Sequence, residues 1–281
     1  MVKILVDSSS DFDENEAKEY GIEMVPMEIT FGETTYLDGV NLSHKEFFEK
    51  LIESVEIPKT SQINEFRFSE AFEKLTQNGD EVVAIVLSSK LSNTYNSAVK
   101  ASKKFGGKVF VVDSLNACIG ERVLILYALK LIKQNKSASE IADELNKKKK
   151  DIKVLAVLAT LKYLRKGGRI SSLAAFTGEL LSIKPVVAVV DGEVKLVGKA
   201  IGSKKGNNLL NQEIEKCGGV DFEMPYCVAY SGLSDTFLQK YLKDHAHIWQ
   251  HETNEIPTYM IGSTIGTHVG PDAIAVAFFK K

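Results

Sequence analysis

Small hydroxyl residues crowd three short segments of this sequence, each at the end of an apolar run or the start of a helical pattern. Pro58-Lys-Thr60-Ser61-Gln62 precedes a helix expected from about Asn64. Leu87-Ser-Ser-Lys-Leu-Ser92-Asn93-Thr94-Tyr95 joins the strand-like run Val82–Leu87 to a helix expected near Asn96. Ile261-Gly-Ser-Thr-Ile-Gly266-Thr267-His268-Val269-Gly270-Pro271 reads as a Gly-rich loop between the last two strands. Helix capping accounts for any one of them, because Ser, Thr and Asn side chains satisfy the free N–H groups of a first turn. Together they describe a site for a small anion, since open α/β sheets bind ligands beyond the carboxyl ends of their strands, where helix N-termini point. Donors are many and fixed cations few, which favours a carboxylate over a polyphosphate.

Other chemistries find less support. No GxxxxGK[ST] is present, and Gly202-Ser-Lys-Lys-Gly206 resembles one only superficially. No GxGxxG follows a strand, so a dinucleotide cofactor is not expected. Ser92 and His268 can be drawn as nucleophile and base with Asp7 or Asp113 as orienter, giving a serine acyl hydrolase as an alternative. GxSxG is absent, however, and Ser231 lacks the first glycine of that elbow. His247 and His251 are four apart with His245 nearby, but without HExxH or a third ligand they read as surface histidines rather than a metal site.

The elements that must position the three segments follow from patterning. With 44% hydrophobic and 26% charged residues in 281, the chain can build a sizeable core. A net charge of −2 argues against nucleic acid as a partner. The Lys147–Lys150 run ends a helical segment (139–146), where lysines complement the macrodipole. Three cysteines, Cys118, Cys217 and Cys227, form no CxxC pair and fit a reduced, cytoplasmic protein. The N-terminus enters a strand directly, and no apolar run is long enough to cross a bilayer.

Apolar runs at Lys3–Asp7, Val82–Leu87, Val109–Val112 and Val154–Thr160 alternate with the helical Phe66–Leu75 and Ala117–Gln134, which predicts a mostly parallel sheet covered on both faces. Residues 23–57 read as an insertion: a strand-like Glu23–Phe31, then a capping box at Ser43-His-Lys-Glu46 opening a helix over Lys45–Leu51. Asp191-Gly192 between Pro185–Val190 and Val194–Ile201 signals a hairpin. Helices over Lys204–Lys216 and Asp235–Lys243 follow, with strands at Tyr226–Tyr230, Thr258–Ile261 and Ala273–Phe279. The expected fold is α/β: an N-terminal three-layer domain (1–155) and a smaller C-terminal two-layer α/β domain (156–281).

In order along the whole chain, these segments resemble the DegV family of lipid-binding proteins. The resemblance rests on Val6-Asp7-Ser8-Ser9-Ser10-Asp11, Leu37-Asp38-Gly39-Val40, the first two hydroxyl segments, Tyr163-Leu-Arg-Lys-Gly-Gly-Arg169-Ile-Ser171, Ile183-Lys-Pro185 and Gly266-Thr-His-Val-Gly-Pro271. It implies one long-chain fatty acid in a tunnel between the domains and no cofactor. Its carboxylate would be held at Thr60, Ser61, Ser92, Asn93, Thr267 and His268. It also implies that the protein is not itself an enzyme. It would present the carboxylate to an ATP-dependent fatty acid kinase subunit, which makes an acyl phosphate for phospholipid synthesis, and lipid exchange would bring transient membrane contact. Arg169 is then a partner contact or a structural ion-pair residue.

Three positions depart from the family pattern. Ile63 follows Thr-Ser-Gln where proline is usual, Asn93 replaces a common glycine, and Ile201 stands where an arginine on the partner-facing surface is often found. The last departure keeps open a stand-alone carrier or sensor. The segment Leu173–Leu181 is a candidate tunnel wall, although core packing explains its pattern equally well.

Overall fold

The computed structural model describes residues 1–170, 183–249 and 255–281. The expected tunnel-wall segment Leu173–Leu181, Ser171 and His251 lie outside the described residues.

Along the first half run β1 (Val2–Asp7), α1 (Glu14–Tyr20), β2 (Ile22–Val25), β3 (Glu28–Phe31), β4 (Thr34–Leu37), α2 (His44–Glu53) and β5 (Lys59–Ser61). They are followed by α3 (Glu65–Thr76), β6 (Glu81–Val86), α4 (Thr94–Ser102), β7 (Val109–Asp113), α5 (Ile119–Lys133) and α6 (Ala138–Lys148). The second half contains β8 (Ile152–Val157), α7 (Lys162–Gly167), β9 (Ile183–Val190), β10 (Glu193–Ile201) and α8 (Ser203–Lys216). After these come β11 (Tyr226–Tyr230), α9 (Thr236–Asp244), β12 (Thr258–Met260), α10 (Ser263–Val269) and β13 (Ile274–Phe279).

The fold is α/β, with a parallel sheet followed by a second sheet. Strands β2-β1-β6-β7 form the parallel sheet. Of its two inner strands, β6 is buried from Val82 to Val86, as a strand covered on both faces must be. The second sheet has the order β10-β9-β8-β13-β11-β12, antiparallel except where β12 joins β11. Its first pair is the hairpin around Asp191-Gly192, in which Val190 faces Glu193. The domain boundary drawn near 155 falls inside β8.

Residues 23–57 do not act as one block. The run Glu23–Phe31 splits at Pro26, which lacks the N–H a continuous ladder would need. Strand β2 joins the parallel sheet, while β3 is the centre of a small sheet, β4-β3-β5. The capping box is present: Ser43 Oγ accepts from Glu46 N, and Glu46 Oε2 accepts from Ser43 N.

Helix α5 joins the two large sheets. Its first seven residues, Ile119 to Ile125, are all buried, because β6 lies on one side of it and β8, β11 and β13 on the other. Gly120 permits the closest approach: a Cβ there would fall 2.2 Å from Val154 Cγ2 on β8. Arg122, fully buried, lies between the rings of Phe12 (3.9 Å) and Tyr259 (3.7 Å) and donates to Glu16. Glu121 comes within 2.9 Å of Ser9 Oγ, whose one proton is committed to Asp7 Oδ1 at 2.6 Å. Burial raises the pKa of Glu121 well above the carboxylate range, and the neighbouring Asp7 carboxyl raises it further.

Overpacking a close contact typically costs about 1–3 kcal/mol. Gly120→Ala is expected to destabilise the protein by an amount in that range, read by urea denaturation. Adding Val154→Ala should recover part of the loss; if the two substitutions simply add, the steric reading of this helix–strand contact is wrong.

Candidate functional site

The site is built around α10. The third hydroxyl segment, expected as a loop, is this helix, because packing and capping override the weak helical propensity of its Gly, Thr, Ile and Val residues. Gly262 N donates to Asp11 Oδ1 at 3.0 Å, and Thr264 donates to Asp38 Oδ2 through N (3.1 Å) and Oγ1 (2.6 Å). Carboxylates at a helix N-terminus are favoured by its partial positive charge. Gly266 brings α10 onto α2; a Cβ there would fall 2.6 Å from Phe47 Cε1 and 2.9 Å from Phe48 Cζ.

Held in this way, α10 brings His268 Nε2 to 3.0 Å from Thr60 Oγ1 on β5. Thr60 is not a helix cap, since Asn64 caps α3 by accepting from Arg67 N. It is a strand residue paired with Ile29 of β3. Burial and the neighbouring Arg169 cation push His268 down to about 4, so the ring is neutral at pH 7. Ser92 precedes α4, with its Oγ 2.9 Å from Thr94 Oγ1 and accepting from Thr94 N at 3.3 Å. Thr94 Oγ1 also accepts from Ile63 N, a bond that a proline at position 63 could not supply. Arg169 is exposed and donates to Leu91 O (3.3 Å) and Gly167 O (2.5 Å).

Thr60, Ser61, Ser92, Arg169 and His268 line one cavity of about 110 Å³, together with Gln62 and Thr264, which residue reasoning did not single out. The rest of its wall is apolar, from Met27, Leu87, Leu91 and Leu164 to β8, β9, β13 and the α10 residues Ile265 and Val269. Two expected site residues do not line it. The Asn93 side chain is exposed and accepts from Asn96, and Thr267 donates to Ser263 O. A second cavity, about 430 Å³, is lined by Lys184, Lys204, Lys240, Asp244 and Asp272. Charges of both signs, with Lys240 and Asp244 paired at 2.9 Å, make it unsuited to an alkyl chain.

Small residues on one face of the second sheet leave the room. Ala273, just before β13, and Ala275 on it line the cavity, and Ala277 follows on the same face, while Ile274, Val276 and Phe278 face the opposite core. Ala156 on β8 also lines the cavity, and Cys227 and Ala229 on β11 pack in the same core behind it. The alternation in Ala-Ile-Ala-Val-Ala was the sequence signal for this wall.

The hydrolase arrangement is not assembled among the described residues. His268 Nε2 pairs with Thr60 rather than Ser92, and Nδ1 is buried with no partner to orient it. No group of three or more metal-ligating side chains occurs among the described residues, and no described helix is long and apolar enough to cross a membrane.

The DegV family model, described as an uncharacterised protein family, matches residues 1–281. The chain belongs to the DegV family. A DegV domain-containing protein of Caldanaerobacter subterraneus is 34% identical over 284 residues, covering 100% of this chain and 99% of that one. A DegV lipid-binding protein from Thermotoga maritima superposes with a TM-score of 0.86 at 28% identity, over 98% of this chain and 97% of that one. A DegV family protein from Thermus thermophilus, described by its fatty acid binding, gives 0.85 at 26% identity over 99% of both chains.

Asp11 supplies a pH signature for the α10 clamp of this DegV protein. Burial raises it from 3.8 to about 7, so between those values the unfolded chain loses the proton first and stability falls as pH rises. Above about 7 this group adds no further change. Asp11→Asn is expected to make the fall in Tm between about pH 4 and 7 shallower than in the wild type. An unchanged slope would remove Asp11 from this account.

Proposed function

We propose that this protein is a cytoplasmic carrier of one long-chain fatty acid. The tail lies in the apolar cavity between α5, α10 and the small-residue face of the second sheet. The carboxylate meets Thr60, Ser61 and Ser92, with His268 behind Thr60 and Arg169 at the mouth. Asn93 and Thr267 act as supports of their own helices. One observation carries the reading: a cavity whose wall is apolar apart from hydroxyl residues, Gln62, a neutral histidine and an exposed arginine. DegV relatives described as fatty acid binding support it.

Energetics divide the roles. Burying about 14 methylenes gains on the order of 11 kcal/mol gross. A hydrogen bond to a charged group nets about 1.5–3 kcal/mol. The tail supplies affinity and the hydroxyls set its direction.

Direction matters if the carboxylate is to be handed on. In the fuller reading, the protein offers it to an ATP-dependent kinase subunit that forms an acyl phosphate, and it takes up lipid at a membrane. A carrier without a kinase is the second reading. It is favoured by Ile201 at the end of β10, 66% exposed where a partner-facing arginine is expected.

Native mass spectrometry of protein purified without added lipid should show an adduct of fatty-acid mass, and consistently empty protein would count against carriage. Thr60→Ala and Ser92→Ala should each weaken palmitate binding by roughly tenfold or more while leaving measurable affinity. Complete loss in both, with the fold intact, would contradict the division between tail and head group. Acyl-phosphate formation with a kinase subunit and ATP separates the two readings. If coupling exists but is weak, Ile201→Arg should raise it.

A further inference from the structure

We infer that Gly167 fixes the tautomer of His268, which commits the Thr60 hydroxyl to donating into the cavity, so that the site selects an ionised carboxylate over an alcohol of the same chain length. The inference rests on the fatty-acid reading and adds which residue sets the Thr60 hydroxyl to donate to the carboxylate.

Helices α7 and α10 meet through glycine on both sides. A Cβ on Gly167 would fall 2.2 Å from His268 Nδ1 and 2.8 Å from its Cε1, and a Cβ on Gly270 would fall 2.2 Å from Tyr163 Cδ2. Backbone conformation does not require glycine at 167, because the left-handed C-cap position is Gly168, with φ of +68°. Close approach to the imidazole does. Any side chain at 167 would displace the ring from Thr60.

The two ring nitrogens therefore face different surroundings. Nδ1 lies where a side chain on residue 167 would stand, buried and without a partner among the described residues. Nε2 is 3.0 Å from Thr60 Oγ1. A neutral imidazole carries one N–H. On Nδ1 that proton would be a buried donor with no acceptor, in a space already closed by Gly167, and buried orphan donors are rarer than orphan acceptors. The cation on this side also favours a bare lone pair, since Arg169 Nη1 donates to the carbonyl oxygen of Gly167 itself. The proton belongs on Nε2, which donates it to Thr60 Oγ1.

A hydroxyl has one proton to give. With Nε2–H donating to it, Thr60 keeps its own proton for the cavity, beside Ser61 and Ser92. A carboxylate offers lone pairs on two oxygens to such donors, whereas an alcohol offers one oxygen and brings a proton of its own. Gly167 is a positioning residue: it touches the imidazole and acts on the ligand through Thr60.

The test is ¹⁵N NMR of the delipidated protein labelled at histidine, near neutral pH. His268 should show a protonated Nε2 and a bare Nδ1; a protonated Nδ1 overturns the inference even if fatty acid binds. Gly167→Ala should shift or mix these signals. It should also lower the ratio of palmitate to hexadecanol affinity by roughly tenfold, the scale set when a matched polar partner is lost. If Gly167→Ala does not fold, Thr60→Val in otherwise native protein should collapse the same ratio, and an unchanged ratio there overturns the inference. The NMR arm needs no lipid, so failure of the protein to bind fatty acid is a separate result, bearing on the function and not on the tautomer.

Discussion

Two buried carboxylates hold the N-terminus of a seven-residue helix, and the polar part of the cavity wall depends on that grip. So short a helix has little stability of its own. Asp11 reaches it from the turn after β1 and Asp38 from the end of β4, so the parallel sheet and the small sheet both clamp α10. The helix then carries His268 to Thr60 on β5, a strand of that same small sheet. Without the clamp, nothing in the propensity of Ser-Thr-Ile-Gly-Thr-His-Val would place an imidazole within 3.0 Å of a threonine 208 residues earlier in the chain.

Helix α5 ties the two large sheets together behind the cavity. Most amphipathic helices bury one face; α5 buries every position of its first two turns because it is shared by two sheets. The charged residues in that stretch are accommodated by chemistry rather than exposure. Glu121 is kept neutral beside Ser9 and Asp7, and Arg122 is stacked between aromatic rings and paired with Glu16. The start of this helix, at Cys118, forms part of the wall of the apolar cavity.

How much of this was legible in the sequence depended on whether the deciding forces were local. The Val82–Leu87 strand, the Ser43 capping box and the Asp191-Gly192 hairpin follow from nearest-neighbour chemistry, and their boundaries fall within a residue or two of expectation. Glu23–Phe31 and Gly262–Val269 were misread because a proline split one run between two sheets and distant carboxylates made the other a helix. Among site residues, Thr60, Ser61, Ser92 and His268 were identifiable by type and order and meet at one cavity. Asn93 and Thr267 have the same chemical types but point their polar groups elsewhere, a distinction set by rotamer and helix phase. Arg169, expected as a partner contact or structural ion-pair residue, also lies on the cavity wall.

The alternation along β13 separates two environments with a single strand. Alanines face the cavity side and Ile274, Val276 and Phe278 fill the opposite core. A slip of one residue against β8 or β11 would exchange the faces, plugging the channel with bulk while hollowing out the core behind it. The empty space is thus protected by the filled space. Any sequence that keeps this core close-packed also holds the strand in the one alignment that turns its small residues toward the cavity, so the folding requirement and the cavity's room are enforced by the same alternation.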